Sequence, residues 1–427
     1  MRDGEPLEIT ALGDGGDGIA DPGDGGAPVF ISGALPGERW ARASDGTWTC
    51  TQPRPDRRAP ECPHFSICGG CTSQHMPATL YADWKRQRIV DALAAHGLTP
   101  DVRPLATIPP PSRRRATFTA AQTDSVTRLG YHARASHDLV DITVCPILVP
   151  AIADALDGLR SLARMLAPAD GRLKVGVTAT DVGLDVHVNG AGNAPNADLS
   201  ARLAAHAQAT GIARLIVDNT DIVQFAAPRI AVDNVDIPVP TGVFLQAAAP
   251  AEAVMIAAVC DAVGKARDLA DLFCGVGTFA LPLSRTAKVT AIDGESRAIA
   301  ALDAAKRNTQ GRKAVTARIR DLFREPLSRK ELEPFEAVVI DPPRAGAKAQ
   351  SEALAKSEVG RIAAVSCNPA TFARDAEILA AGGYDLAWVQ PIDQFVYAPH
   401  VELVAAFMRP GEKRRGGKGR GRGLRRR

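Results

Sequence analysis

From about residue 241 to residue 410, apolar runs typical of strands alternate with runs typical of helices. The strand-like runs read RDLADLF, KVTAID, EAVVIDPP and RIAAVSCN. This alternation predicts a doubly wound α/β fold, in which helices cover both faces of a mostly parallel sheet. Open sheets of this kind bind ligands beyond the carboxyl ends of their strands. We therefore expect the functional groups of 241–410 to follow those strand ends.

The rest of the chain divides by pattern. Its 427 residues suffice for roughly two to four domains. Residues 1–52 alternate short apolar stretches with Gly and Asp, which predicts a small β-barrel. Residues 53–240 mix helical and strand-like runs, which we interpret as a central α+β domain. Residues 411–427 carry nine Lys/Arg and one acid, which predicts a disordered basic arm that binds a polyanion, with a solvated extension as the alternative.

Composition excludes some classes of function. The chain is 45% hydrophobic and 23% charged, and it lacks a run of about 18 uncharged apolar residues that could span a bilayer. The start, MRDGEPLEIT, has neither the positive nor the apolar region of a secretion signal. We expect no membrane partner and a cytoplasmic location.

Four of the eight cysteines form a candidate metal site. Cys62, Cys68 and Cys71 lie in CPHFSICGGC, and the more distant Cys145 precedes a proline. In a reducing compartment such a set is better explained by metal binding than by disulfides. Four thiolates suit zinc and an iron–sulfur cluster about equally.

The stretch DLADLFCGVGTFALPL (268–283) predicts a strand, a Gly-rich turn and a helix. Gly275 and Gly277 would let a ligand approach the backbone at the end of the strand. The next strand ends at Asp293, where a carboxylate can accept hydrogen bonds from ribose hydroxyls, and Asp321 after the third would suit an adenine amino group. No longer glycine set for phosphates follows, so S-adenosylmethionine fits better than NAD.

Two further strand ends carry reactive groups. The fourth strand ends in DPPRAG (341–346), where Arg344 stands in place of the aromatic residue usual in methyltransferases that act on amines. The fifth delivers Cys367 in SCNPATFARD. A cysteine there is more often a small buried residue, and an acid such as Glu402 in HVELVAAF is more often a solvated strand edge. With DPPRAG upstream and an acid downstream, Cys367 becomes a candidate nucleophile.

These motifs and the cysteine spacing resemble the bacterial RNA uracil-5-methyltransferase family, particularly its 23S ribosomal RNA members, over most of the chain. The resemblance implies a class I S-adenosylmethionine-dependent methyltransferase domain, a TRAM-like (OB-like) N-terminal barrel and a structural four-iron four-sulfur (4Fe-4S) cluster on the four cysteines. It also implies that Cys367 adds to the uracil ring and that Glu402 removes the carbon-5 proton.

Matching to the family motifs implies further site residues. Gln246, in FLQAAAP, would contact cofactor or base, while Phe273 and Thr278 would line the cofactor pocket. Thr278 replaces the asparagine common there. Asp341 would bind the uracil edge or the amino-acid part of the cofactor. The segment FVYAPHVE (395–402) departs from the Phe-Pro-His-Thr common before His-x-Glu, which puts substrate positioning in doubt.

The expected partner is RNA and the expected state is a monomer. Ribosomal RNA is the first choice of substrate and tRNA the second. A non-catalytic RNA-binding assembly factor and a cytosine-5 methyltransferase are the alternatives. The segment SRRRATF (112–118) suggests that Arg113–Arg115 hold the phosphate backbone, with a solvated turn as the equal alternative.

Overall fold

The computed structural model describes residues 5–23, 25–123, 126–168, 171–192 and 194–411. The predicted basic arm beyond Gly411 lies outside these residues. Among the described residues, none of the helices combines the length and the apolar character needed to cross a bilayer.

The N-terminal segment forms an antiparallel sheet with the strand order β3-β2-β1-β4-β5. Its small core includes Ile9, Ile31 and Trp40. This sheet is compatible with the predicted OB-like module. Its strands are β1 (Leu7–Leu12), β2 (Gly18–Ala20), β3 (Val29–Ile31), β4 (Arg39–Arg42) and β5 (Trp48–Gln52).

The middle of the chain begins with α1 (Ala78–Ala94) and β6 (Asp101–Val102), which are followed by a larger sheet. That sheet has the order β13-β12-β11-β10-β7-β8-β9 among the described residues, and the hairpin β14-β15 follows it. Helix α3 packs its Leu159 and Leu162 against the apolar face of this sheet. The elements are β7 (Arg115–Thr123), β8 (Val126–His132), β9 (Leu139–Asp141), α2 (Pro150–Ala153), α3 (Leu156–Leu166), β10 (Arg172–Thr180), β11 (Gly183–Asn189), α4 (Ala197–Ala209), β12 (Ile212–Val217), β13 (Thr220–Gln224), β14 (Arg229–Val232) and β15 (Val235–Pro238).

The C-terminal segment forms the predicted doubly wound sheet. Its elements are α5 (Ala249–Val263), β16 (Asp268–Leu272), α6 (Ala280–Leu283), β17 (Lys288–Asp293), α7 (Ser296–Lys306), β18 (Val315–Ile319), α8 (Arg329–Leu332), β19 (Ala337–Ile340), α9 (Lys348–Ala355), β20 (Arg361–Ser366), α10 (Pro369–Ala381), β21 (Asp385–Ile392) and β22 (Glu402–Met408). The strand order is β18-β17-β16-β19-β20-β22-β21-β6. Strand β22 runs antiparallel to both of its neighbours. Successive residues such as Leu269 and Ala270 belong to different cores, one on each face of the sheet.

Helix α1 shares its core with this C-terminal sheet. Tyr81, Trp84 and Ile89 lie in the same hydrophobic cluster as Phe372 of α10. Strand β6 extends the sheet by pairing in parallel with β21. Both elements lie within 53–240, the predicted central domain. An apolar helix pattern predicts that a face is buried but not which sheet covers it.

Candidate active site

The register of the C-terminal sheet places Asp341 and Cys367 at one edge, where its parallel strands have their carboxyl ends. Strands β16, β19 and β20 end side by side because Leu272 pairs with Ile340 and Ile340 pairs with Ala364. Asp341 follows β19 directly, and Cys367 follows β20 directly.

Glu402 reaches the same edge from the opposite direction. It is the first residue of the antiparallel strand β22, and the next residue, Leu403, pairs with Ser366 at the end of β20. Glu402 therefore begins its strand where Cys367 leaves the neighbouring one. The structure thus brings Asp341, Cys367 and Glu402 together, although they come from three separate parts of the chain.

Glu402 is buried at this edge, Cys367 and Asp341 are partly buried, and their negative charges disfavour one another. Burial raises the pKa of Cys367 to about 11, with further contributions from Glu402 and Asp341 and an opposing one from Arg344. Burial and Asp341 raise the pKa of Glu402 well above its usual range. Burial and Asp293 raise the pKa of Asp341 to about 7. A positive group bound here would favour the thiolate and the carboxylates.

A glutamine that the sequence analysis missed connects two of the predicted residues. The side-chain amide of Gln394 donates to Gln246 Oε1 at 2.9 Å and to Glu402 Oε2 at 3.0 Å. All three side chains are buried. The signal was available in principle, since Asp393 and Gln394 are polar residues that directly follow the apolar strand β21. That strand runs in the same direction as β20, so it ends at the same edge.

The Gly-rich turn has the backbone that the motif predicts. Gly275 and Gly277 have φ values of +53° and +95°, which favour glycine. A Cβ at Gly275 would meet no atom within 4 Å, so this residue borders open space. At Gly277 a Cβ would lie 2.5 Å from Leu302 Cδ1, so this glycine lets the turn pack closely on α7. Thr278 is partly exposed beside it.

The predicted cofactor carboxylates lie at neighbouring strand ends. Asp293 Oδ2 accepts a hydrogen bond from the Gly275 amide at 2.9 Å, which ties the second strand end to the turn. Asp321 follows β18 and is exposed, and its Oδ1 accepts from the Phe323 amide at 3.0 Å. The rings of Phe273 and Phe323 lie 5.3 Å apart. Two aromatic rings therefore lie close to these acids.

The four predicted cysteine ligands converge between the middle and C-terminal segments. Cys71 and Cys145 contact one hydrophobic core, and Cys68 and Cys145 contact another. Burial, together with the charges of Cys68 and Cys62, raises the pKa of Cys71 to about 11. The Gly70 amide donates to Cys68 Sγ at 3.4 Å. Among the described residues, no group of three or more His, Cys, Asp or Glu is placed to hold a single metal ion.

Both proposed roles for Arg114 are wrong. Arg114 is only 7% exposed, so it neither lies in a solvated turn nor faces a phosphate backbone. Its guanidinium donates to Glu252 Oε2 at 2.7 Å and to the Gln246 carbonyl at 3.0 Å. Arg115 packs its guanidinium 4.9 Å from the ring centroid of Phe244, which is 64% exposed. This arginine segment therefore supports the backbone that carries Gln246.

Comparison with known proteins is consistent with this geometry. The family model described as tRNA (Uracil-5-)-methyltransferase matches residues 202–409. An uncharacterized RNA methyltransferase of Brucella suis is 44% identical over 405 residues, covering 94% of this chain and 97% of that protein. The 23S rRNA (uracil(1939)-C(5))-methyltransferase RlmD of Aeromonas salmonicida is 30% identical over 410 residues, covering 90% of this chain and 92% of that protein.

A solved structure shares the fold. The tRNA (uracil-54, C5)-methyltransferase of Pyrococcus abyssi, solved with S-adenosyl-L-homocysteine, superposes with a TM-score of 0.71 at 22% identity, covering 95% of this chain and all of that one. The predicted resemblance is confirmed, and the chain belongs to the RNA uracil-5-methyltransferase family.

Proposed function

We propose that this protein methylates carbon 5 of a specific uridine in RNA, with S-adenosylmethionine as methyl donor. The observation that carries the proposal is the meeting of Cys367 and Glu402 at one sheet edge, where β20 ends and β22 begins. A nucleophile and a base must both reach one pyrimidine ring in this chemistry. A non-catalytic assembly factor would not need that pair.

In the proposed reaction, Cys367 loses its proton to solvent and its thiolate adds to carbon 6 of uracil. The electron pair of the carbon 5–carbon 6 double bond moves to an enolate, which makes carbon 5 nucleophilic. Bound S-adenosylmethionine supplies the methyl group and a positive charge. Glu402 then accepts the carbon-5 proton, the double bond re-forms, and the carbon–sulfur bond breaks with its electron pair returning to sulfur.

The burial of this edge supports the division of roles. The Cys367 pKa of about 11 means that the free protein holds a thiol at neutral pH. The raised pKa of Glu402 suits a base that must keep the proton it accepts. We infer that Asp341 binds the uracil edge or the amino-acid part of the cofactor rather than acting as the base.

The cofactor would occupy the edge beside the Gly-rich turn. The open space at Gly275 and the hydrogen bond from its amide to Asp293 fit a ligand that approaches the backbone there. Each oxygen of Asp293 can accept a second hydrogen bond, so ribose hydroxyls can still bind. The proposed cofactor-binding residues are Gln246, Phe273, Gly275, Gly277, Thr278, Asp293, Asp321 and Asp341.

We propose that Cys62, Cys68, Cys71 and Cys145 hold a four-iron four-sulfur cluster. Support comes from the mutual electrostatic influence of the four thiols and from the amide donated to Cys68 Sγ. Bound iron would hold the sulfurs as thiolates and tie the loop to the Cys145 segment. Iron and sulfide content of anaerobically purified protein, with Cys145→Ser as the comparison, tests this; stoichiometric zinc in its place would contradict it.

The proposed substrate is 23S ribosomal RNA, with tRNA as the second candidate. A relative named for 23S rRNA aligns over most of the chain at 30% identity, and the N-terminal sheet is compatible with an RNA-binding module. The target base must leave its stack to reach the partly buried Cys367. The monomeric state stays a prediction.

Incubation with labelled S-adenosylmethionine and unmodified 23S RNA or tRNA tests the function. We expect 5-methyluridine in one of the two RNAs. Cys367→Ala should abolish methylation and keep RNA binding, whereas Glu402→Gln should trap a protein–RNA adduct that survives a denaturing gel. Methylated cytosine, or no methylated base at all, would refute the proposal.

A further inference from the structure

The side chain of Gln394 lies between Gln246 and Glu402, and we infer that it is a positioning residue that holds Glu402 toward the Cys367 adduct. This role rests on the proposed function. Gln394 is 3% exposed, and its single amide group donates to both neighbours, at 2.9 Å and 3.0 Å. The two hydrogens of a planar amide have fixed directions, so one group sets the position of both acceptors.

The orientation of this amide follows from its neighbours. Rotating it by half a turn would place the Gln394 oxygen against the oxygens of Gln246 and Glu402, which repel it. In the observed orientation, Gln394 Oε1 is buried without a hydrogen-bond partner among the described residues. A buried acceptor is costly to leave unpaired. The two hydrogen bonds that the Gln394 amide donates offset that cost.

Helix α1 holds the residues on both sides of Gln394, Asp393 through its side chain and Phe395 through its backbone. The Lys85 ammonium, fully buried, donates to the Asp393 carboxylate and to the Phe395 carbonyl. The Tyr81 hydroxyl lies 2.8 Å from Asp393 Oδ2. Because the residues before and after Gln394 are both held, its side chain leaves a fixed base. A helix remote in sequence therefore determines where the amide points.

The amide also acts on the charge of the base. A hydrogen bond donated to a carboxylate favours its charged form. Around Glu402 this donation opposes burial and the negative charge of Asp341, while Cys367 faces the same edge. Removing the amide should therefore leave Glu402 both less well placed and less often ionised. The step that suffers is removal of the carbon-5 proton, which follows methyl transfer.

The test compares two buried glutamines of the C-terminal segment. Gln394→Met removes the amide at the edge. Gln350→Met is the matched control, because Gln350 is 1% exposed and, among the described residues, its side-chain amide bonds only to the Leu327 backbone, at 2.8 Å and 3.3 Å. Single turnovers with labelled methyl donor would follow both methyl transfer and release of the covalent adduct.

A positioned base contributes about 10²–10⁴-fold, so we expect Gln394→Met to slow adduct release by about 10-fold or more while methyl transfer changes by less than about 3-fold. A slowly migrating protein–RNA band should therefore accumulate. Gln350→Met should release the adduct at the wild-type rate. The isosteric Gln394→Glu gives a second measurement: its added carboxylate should shift the pH profile of adduct release to higher pH.

Equal adduct lifetimes in Gln394→Met and Gln350→Met, or a Gln394→Glu profile that matches the wild type, would overturn the positioning role while leaving the proposed function intact. A wild-type protein that forms no adduct and methylates no uridine would instead overturn the proposed function itself. The two failures are therefore distinguishable.

Discussion

The buried pair of Arg114 and Glu252 allows a pH-resolved prediction. Arg114 is 7% exposed and Glu252 is 4% exposed, and their charged groups lie 2.7 Å apart. Burial raises the pKa of Glu252, and the charge of Arg114 opposes that rise. Arg114→Met keeps most of the aliphatic packing but removes the charge. Without it, burial alone acts on Glu252, so the pKa must rise further.

The magnitude follows from the cost of protonating Glu252. Burial of an unpaired carboxyl favours its neutral form, whereas an unfolded glutamate has a pKa of about 4.3. At pH 7 the folded variant therefore holds a neutral Glu252. Keeping this carboxyl neutral costs about 1.4 kcal/mol for each pH unit above its pKa in the unfolded state. Because the wild type already bears part of this cost, we expect the free energy of unfolding to fall by about 3 kcal/mol at pH 7 and by less than about 1 kcal/mol at pH 5.

The direction in which stability changes with pH can be measured directly. A pKa that is higher in the folded state gives stability at low pH that is lost as pH rises through the window between the two values. Urea unfolding of wild type and Arg114→Met at pH 5 and pH 7 measures this difference. The double variant Arg114→Met/Glu252→Gln is the control, because it removes both charges and should lose the pH dependence. An equal loss at both pH values, or unchanged stability with weakened RNA binding, would refute the structural role of Arg114.

Three further outcomes are expected. Gly277→Ala should destabilise the protein by about 1–3 kcal/mol, because its Cβ would overlap α7, while Gly275→Ala should cost about 1 kcal/mol for its backbone conformation alone; thermal unfolding separates them. Site-resolved alkylation of Cys367 without cofactor should be slow at pH 7 and accelerate toward pH 11, and fast alkylation at pH 7 would contradict the raised pKa of this thiol. Burial alone would raise the pKa of Glu38, but hydrogen bonds led by Arg57 lower it overall. The N-terminal sheet should thus lose stability as pH falls below about 4.5, and Glu38→Gln should lose that acid transition in tryptophan fluorescence.

The C-terminal fold can be predicted well from the sequence, because each of its parallel strands is a short continuous run of residues. Each parallel strand is an apolar run, and its end is marked by a polar or reactive residue such as Asp293, Asp341 or Cys367. In a doubly wound sheet, those ends must meet at one edge. The position of β22 between β20 and β21 cannot be predicted from such local runs, since it follows from pairing between segments distant in the chain.

Arg114 shows where local reasoning fails. Three consecutive arginines look like a phosphate-binding or solvated segment because arginine is seldom buried without a partner. The partner, Glu252, lies in helix α5, and nothing near the arginines in the sequence marks it. Lys85 and Asp393 form a second such pair across an even longer stretch of chain. The spacing of residues in the sequence does not predict buried ion pairs between remote segments. Only the packed structure shows them.

These remote contacts also explain how the cysteine loop and the proposed base are connected. Directly after Cys71, the amide of Thr72 and the hydroxyl of Ser73 donate to the carbonyl of Tyr397, at 2.8 Å and 3.0 Å. Tyr397 lies in the loop between Gln394 and Glu402, and its own amide donates to the Tyr81 hydroxyl at 2.9 Å. The loop that sets the base is therefore held by α1 on one side and by the cysteine segment on the other. This arrangement is compatible with a structural role for the proposed cluster, because holding Cys71 would also hold the donors that fix this loop.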